Sequence, residues 1–257
     1  MAASILHLTD LHLQADPAAE IKGVRTRETL INVLQFINEG VHADRWSFDT
    51  LVVTGDLTHD ERFETYEALR ELLGESLSQC RLVPGNHDDR ELIRRVFPEI
   101  TPTEGASLNF SLDVDGWRLI GLDSQVAGEL YGRIGTPQLE WLSRELTTHA
   151  AQPTVLFMHH PPVSIESTWL DDIGLRDADA LGEVVRTASQ VQLICAGHVH
   201  QEYEGALDGA RVVTTPSTGV QFVPGTEELA CDEVPPGFRI VHLDGGECRT
   251  EVVRLGE

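Results

Sequence analysis

The chain predicts an α/β fold in one domain, with two packed mixed sheets flanked by helices. Three observations carry that expectation. Apolar runs of strand length alternate with amphipathic helical stretches through the first hundred residues. Hairpin signals on Asp-Gly and Gly-Gly pairs fill much of the rest. Five polar clusters each follow the C-terminal end of a strand-like run, the edge of an open α/β sheet where ligands bind.

Residues 4–9 read as a strand ending at Asp10. Residues 25–38 carry a helical stripe of Leu30, Val33, Leu34 and Ile37. Residues 49–54 form a buried strand ending at Gly55-Asp56, and 61–73 a helix. Residues 81–83 are a short strand ending at Pro84-Gly85-Asn86, and 89–96 a helix stopped by Pro98. This βαβαβα order implies a parallel sheet. Asp115-Gly116 joins 108–114 to 117–122 as a hairpin. A helix follows to about residue 149, with Thr136 as N-cap and Pro137 in the first turn. Residues 154–158 are a strand ending at His159, 177–188 a helix, and 191–196 a strand ending at Gly197-His198. From about residue 205 the chain is hairpin-rich, with turns at Asp208-Gly209 and Gly245-Gly246. That region either folds over the site or forms a subunit contact, which leaves a homo-oligomer open. No repeat or low-complexity linker divides residues 1–257, so they read as one domain.

The 41% hydrophobic and 24% charged composition is that of a soluble globular enzyme. No apolar run approaches bilayer length, and the N-terminus lacks the pattern of a secretory signal. A net charge of −23 argues against a nucleic-acid or anionic-membrane surface. Bound dications would reverse that potential locally, so an anionic substrate remains compatible. Cys80 and Cys195 lie in apolar runs and read as reduced core residues, while a bridge between Cys231 and Cys248 stays open. Without a Cys-x-x-Cys pair, a reduced, cytoplasmic protein is the expectation.

The clusters are Asp10-Leu11-His12, Gly55-Asp56, Gly85-Asn86-His87-Asp88, His159-His160-Pro161-Pro162 and Gly197-His198-Val199-His200. Their candidate metal ligands are Asp10, His12, Asp56, Asn86, His159, His198 and His200. Taken singly, Gly55-Asp56 is an ordinary turn, and Gly197-His198-Val199-His200 fits a fragment of a mononuclear zinc site. Taken in this order at strand ends, they point to two metal ions about 3.5–4 Å apart. Two unit charges at 4 Å repel by about 4 kcal/mol at an effective dielectric near 20, and two dications by roughly four times that. Asp56 is the candidate bridging carboxylate, with a hydroxide as the second bridging anion. Asp10 and His12 are expected to share one face of an extended segment, as are His198 and His200. The four imidazoles favour iron, manganese, zinc or cobalt over magnesium or calcium.

From Ile5 to about Val253 the chain resembles the calcineurin-like metallophosphoesterases, on these motifs. The resemblance implies a four-layer α/β/β/α sandwich. It implies one ion held by Asp10, His12, Asp56 and His200, and another by Asp56, Asn86, His159 and His198. His87 would contact the phosphate and protonate the leaving group, and His160 matches no ligand. Gly23-Val24-Arg25-Thr26, Leu122-Asp123-Ser124-Gln125-Val126, Gln138-Leu139-Glu140-Trp141-Leu142, Trp169-Leu170-Asp171, Leu175-Arg176 and the run 215–222 resemble the bacterial class III cyclic-AMP phosphodiesterases. That implies hydrolysis of 3′,5′-cyclic AMP to 5′-AMP, with 2′,3′-cyclic nucleotides or glycerophosphodiesters as the alternative substrates. Asn86, His87 and His200 would meet the phosphate. Trp169, Phe222 and Gln221 are candidates to stack on or hydrogen-bond the base, and Arg25 to meet phosphate or ribose. A non-catalytic scaffold is disfavoured because every expected ligand is present, and a nuclease because no basic stripe exists.

Overall fold

Strands that are apolar on both faces need cover on both sides, and four layers supply it. The computed structural model describes residues 2–102 and 105–256. One sheet holds β1 (Ala2–Leu8), β2 (Thr50–Thr54) and β3 (Cys80–Val83), which run parallel. Its outer face carries α1 (Thr26–His42), α2 (Phe63–Leu73) and α3 (Arg90–Val96). The second sheet holds β4 (Phe110–Val114), β5 (Trp117–Leu122), β6 (Thr154–Met158), β7 (Val191–Ala196), β8 (Tyr203–Leu207) and β9 (Ala210–Thr214). Its order is β4-β5-β6-β7-β9-β8, with an antiparallel strand at each edge of a parallel centre. Against its outer face lie α4 (Thr136–Thr148) and α6 (Ala178–Arg186).

Side-chain alternation assigns each strand face. Leu6, Leu8, Leu51 and Val53 pack under α1–α3, whereas Ile5 and Val52 face the other sheet. There they meet Val155, Phe157, Leu193 and Cys195, and the intervening Leu156, Met158, Ile194 and Ala196 turn toward α4 and α6.

Three features fill in or depart from the sequence reading. The first sheet is mixed, as expected, and the βαβαβα run supplies only its parallel part. Its order is β13-β12-β1-β2-β3, where β12 (Gly237–Asp244) pairs antiparallel with β1 and β13 (Glu247–Arg254) closes the edge. The C-terminal hairpin therefore completes a sheet, whereas Val220, Phe222 and Leu229 of the same hairpin-rich region line the cavity. Second, Thr136 lies inside α4, and Gly135 (φ 78°) holds the N-cap position. The Asp177 carboxylate takes the N–H groups of Ile134 (3.0 Å) and Gly135 (2.8 Å), so a distant side chain shapes that entry. Third, the short helix α5 (Thr168–Asp171) and the small ribbon of β10 (Gln221–Phe222) with β11 (Cys231–Asp232) are too short to carry a sequence periodicity. All four cysteines are free thiols.

Candidate metal centre

Each cluster lies just past a strand end, where sheet hydrogen bonding gives way to loops. The ends of β1 and β2 stay laced: Asp10 N–H donates to the Gly55 carbonyl (3.0 Å) and His12 N–H to that of Asp56 (2.8 Å). The extended segment expected through Asp10 and His12 does not form. Asp10 (φ 53°), His12 (φ 45°), Asp56 (φ 48°), His198 (φ 71°) and His200 (φ 48°) all take left-handed backbone. Such a residue costs roughly 1–2 kcal/mol, and Asp and His tolerate it better than most. Curled backbone, not strand pleating, brings each pair together.

Hydrogen bonds offset that strain. Ser217 Oγ donates to the Asp10 carbonyl (2.7 Å) and Thr26 Oγ1 to that of His12 (2.8 Å). His198 N–H reaches Asp10 Oδ2 (2.9 Å), and His87 N–H reaches Asp56 Oδ1 (2.9 Å). Asp88 ties the second and third clusters, accepting from Gly85 N–H (2.9 Å), Leu57 N–H (3.1 Å) and Tyr66 Oη (3.0 Å). Burial and the nearby Asp56 charge push its pKa up to about 7 against those donors. A side chain at Gly85 would collide with Asp56, and one at Gly197 with Thr9 and Asp10, so only glycine lets these loops close on the carboxylates.

The seven predicted ligands converge. His12 Nε2 lies 3.1 Å from His200 Nε2 and 3.3 Å from Asp56 Oδ2, and His200 Nε2 lies 3.4 Å from Asp10 Oδ1. On the other side of Asp56, His159 Nε2 lies 3.5 Å from Asp56 Oδ1 and 3.1 Å from Asn86 Oδ1. The rings of His159 and His198 meet with centroids 5.1 Å apart. Tautomers follow from the outward partners. His159 Nδ1 donates to the Thr54 carbonyl (2.7 Å) and His200 Nδ1 to the Val220 carbonyl (2.8 Å). Both Nε2 atoms are thereby turned inward, toward carboxylate and amide oxygens. His198 Nε2 is buried without a hydrogen-bond partner among the described residues.

Electrostatics sharpen the picture. Burial drives the pKa of His12 and of His198 down to about 3. Burial opposes charge on Asp10 and Asp56 too, but the surrounding histidines, His200 first for Asp10 and His159 first for Asp56, hold both carboxyls below the usual range. Burial likewise opposes charge on His200, yet Asp10 beside it raises its pKa. Two ionised carboxylates packed with His12 and His198, whose rings burial keeps neutral, favour a cation among them. The donor set fits two metal ions.

His160 is excluded from that set. Its Nε2 donates to the Leu130 carbonyl (3.0 Å), so Nδ1 accepts from Ser124 Oγ (2.8 Å) and no lone pair is left.

Above the cluster opens a cavity of about 220 Å³. His12, Asp56, Asn86, His87, His198 and His200 line its base, and Trp169 and Phe222 its apolar wall. Phe222 stacks on the His200 ring (4.3 Å, 22°), with Trp169 edge-on behind it (5.1 Å). Two expected substrate contacts lie elsewhere. Arg25 projects outward and pairs with Glu28 (2.9 Å). Gln221 is buried, donating to the carbonyls of Ser217 (2.8 Å) and Gly219 (3.1 Å), so it shapes a loop. Cavity residues that sequence reasoning missed include Lys22, His59, Ile21, Leu130, Ile173 and Leu229. His59, three residues past Asp56 and in its loop, offered the one readable signal. Leu130 (52% exposed) and Leu229 (44% exposed) stand in water at the rim.

Comparison with known proteins decides the family. A calcineurin-like phosphoesterase family model matches residues 3–202. The chain belongs to the calcineurin-like phosphoesterase family. It is 36% identical over 254 residues to the 3′,5′-cyclic adenosine monophosphate phosphodiesterase CpdA of Vibrio vulnificus, covering 98% of this chain and 89% of that one. The CpdA of Escherichia coli is 34% identical over 256 residues, covering 98% of this chain and 90% of its own. A dimetal phosphatase from Danio rerio superposes with a TM-score of 0.68 at 16% identity, covering 98% of each chain. The fold is also shared with GAP50, the anchor in the inner membrane complex of Plasmodium (TM-score 0.64, 12% identity, 100% of this chain and 86% of that one). At such identities only the fold is common ground. For this calcineurin-like phosphoesterase, family and donor set together imply two metal ions. No helix of the described residues is long and apolar enough to cross a membrane.

Proposed function

We propose that this phosphoesterase hydrolyses 3′,5′-cyclic AMP to 5′-AMP. The observation that carries the reading is the meeting, beneath one cavity, of the His12, His159 and His200 Nε2 atoms with the carboxylates of Asp10 and Asp56 at 3.3–3.5 Å. The names of its relatives select the substrate class. Asp10, His12, Asp56 and His200 would hold one ion, and Asp56, Asn86, His159 and His198 the other. Four imidazoles in the set favour iron, manganese, zinc or cobalt. When bound, the pair lowers the pKa of a water and neutralises charge building on the phosphate.

The chain's own residues do the rest. Asn86, His87 and His200 line the base of the cavity and orient the phosphodiester there. The His87 ring makes no hydrogen bond among the described residues and leans only on His12 (5.2 Å) and His59 (4.8 Å). It is free to give a proton to the 3′ oxygen as its bond to phosphorus breaks. The purine lies along Phe222 and Trp169, which exclude water from that side. Four unpaired thiols favour a reducing compartment, the cytoplasm. The interleaving of first and last strands in one sheet supports a single domain over residues 1–257.

The test is hydrolysis of cyclic AMP by manganese-loaded protein with chromatographic identification of product. We expect 5′-AMP alone. Formation of 3′-AMP, or turnover confined to 2′,3′-cyclic nucleotides or glycerophosphodiesters, overturns the assignment. His87→Ala should lower kcat by about 10²–10⁴-fold while two ions remain bound. Loss of both ions in that variant would make His87 a ligand.

A further inference from the structure

We propose that His59 is a positioning residue for this site: it accepts the Nδ1 proton of His12 and backs the ring of His87. The proposal rests on the dinuclear reading above.

A metal-binding imidazole needs an outward partner to fix its tautomer and ring angle. His159 has the Thr54 carbonyl and His200 the Val220 carbonyl. His12 has no carbonyl. Its Nδ1 lies 3.3 Å from Nδ1 of His59. With His12 Nε2 turned to Asp56 and His200, the His12 proton must sit on Nδ1, and His59 Nδ1 must accept it. The same His59 ring stacks on His87 (4.8 Å, 29°), whereas His12 meets His87 edge-on (5.2 Å, 70°). One side chain thus touches both a candidate ligand and the candidate acid.

The His59 backbone is held independently, through its N–H to the Leu13 carbonyl (2.8 Å). Its ring is exposed, so replacing it leaves the core intact. The three rings bring nitrogens within 4.8 Å of one another, as a third metal site would. Two arguments weigh against that. Nearly parallel rings send their in-plane lone pairs side by side, not to one point, and His12 Nδ1 is protonated.

The experiment loads the full-length protein with zinc, confirms two ions per chain, and follows their release to a chromogenic chelator. In His59→Ala we expect one of the two ions to leave about 10–100-fold faster, and the other at the wild-type rate. His59→Gln, whose amide oxygen can accept the His12 proton, should restore slow release. It cannot restore the ring stack, so its kcat should stay low at unchanged KM. Unchanged release of both ions from His59→Ala overturns the proposal and spares the dinuclear reading. A third ion present in wild type and lost in His59→Ala also overturns it. A wild-type protein that holds fewer than two ions overturns the dinuclear reading itself.

Discussion

Asp10 and His200 carry opposite perturbations because each is the other's near neighbour, at 3.4 Å. Both are buried, so both would resist charge, yet the carboxyl is pulled down and the imidazole pulled up. A proton on His200 satisfies Asp10 when no metal does. If His200 is a ligand as proposed, metal binding displaces it, because the ion needs the Nε2 lone pair. Reloading chelated protein with manganese near pH 7 should therefore release protons, with affinity rising as pH rises through the raised His200 pKa. Calorimetry in buffers of different ionisation enthalpy reads the proton count. The result that counts against this is a buffer-independent heat. His12 and His198 add no release there, since burial already keeps them neutral down to about pH 3.

At the scale of elements, the loops after the strands do the chemistry and the strands hold them in place. The Ile21–Val24 bridge is a two-residue turn in which Lys22 (φ 51°) and Gly23 (φ 81°) are both left-handed. Lysine is a poor choice for that first position, where Asn or Asp costs less. Lys22 is also the only lysine or arginine among the described residues lining the cavity. It forms no ion pair among the described residues, in a chain with 42 acidic and 19 basic side chains. Strain accepted at a cavity mouth points to use there. Lys22→Gln should raise KM for cyclic AMP about twofold to fivefold with little change in kcat, and high salt should shrink the difference. Arg186→Gln removes the same charge from α6, where Arg186 pairs with Asp208 (2.8 Å), and should leave KM unchanged. An equal effect from both substitutions would reduce Lys22 to net charge alone.

Across the whole molecule, the site exists because two sheets meet. His7 on β1 hydrogen-bonds Thr54 Oγ1 (2.8 Å) within its own sheet and Thr215 Oγ1 (2.8 Å) just past β9 of the other. Burial first, and Arg239 next, lower its pKa to about 3. An unfolded histidine titrates near 6.5. Between those values the unfolded chain binds a proton that the native chain refuses, so stability falls as pH falls through that window. This one group should contribute about 1.4 kcal/mol per pH unit. Urea unfolding from pH 6 to pH 4 should show a smaller slope by about that amount in His7→Gln. An unaltered slope would mean that His7 is protonated in the folded state.

The sequence by itself singled out the side chains that the structure brings together beneath the cavity. Asp10, His12, Asp56, Asn86, His159, His198 and His200 were legible because strand ends, turn glycines and ligand chemistry are all local properties. The layered α/β order was legible for the same reason, since alternation and helical stripes are short-range signals. Only the tertiary structure decided the rest, because it depends on contacts between residues far apart in the chain. The left-handed backbone at Asp10 and His12 is stabilised by Ser217 and Thr26, and no dipeptide pattern announces that. Gln221 and Arg25 have the right chemistry for a substrate but point elsewhere, while Lys22, which no motif marks, and His59, marked only by its place in the Asp56 loop, line the cavity. Strand periodicity says which residues are buried. It does not say which loop tips touch, and that is set by how two sheets pack face to face.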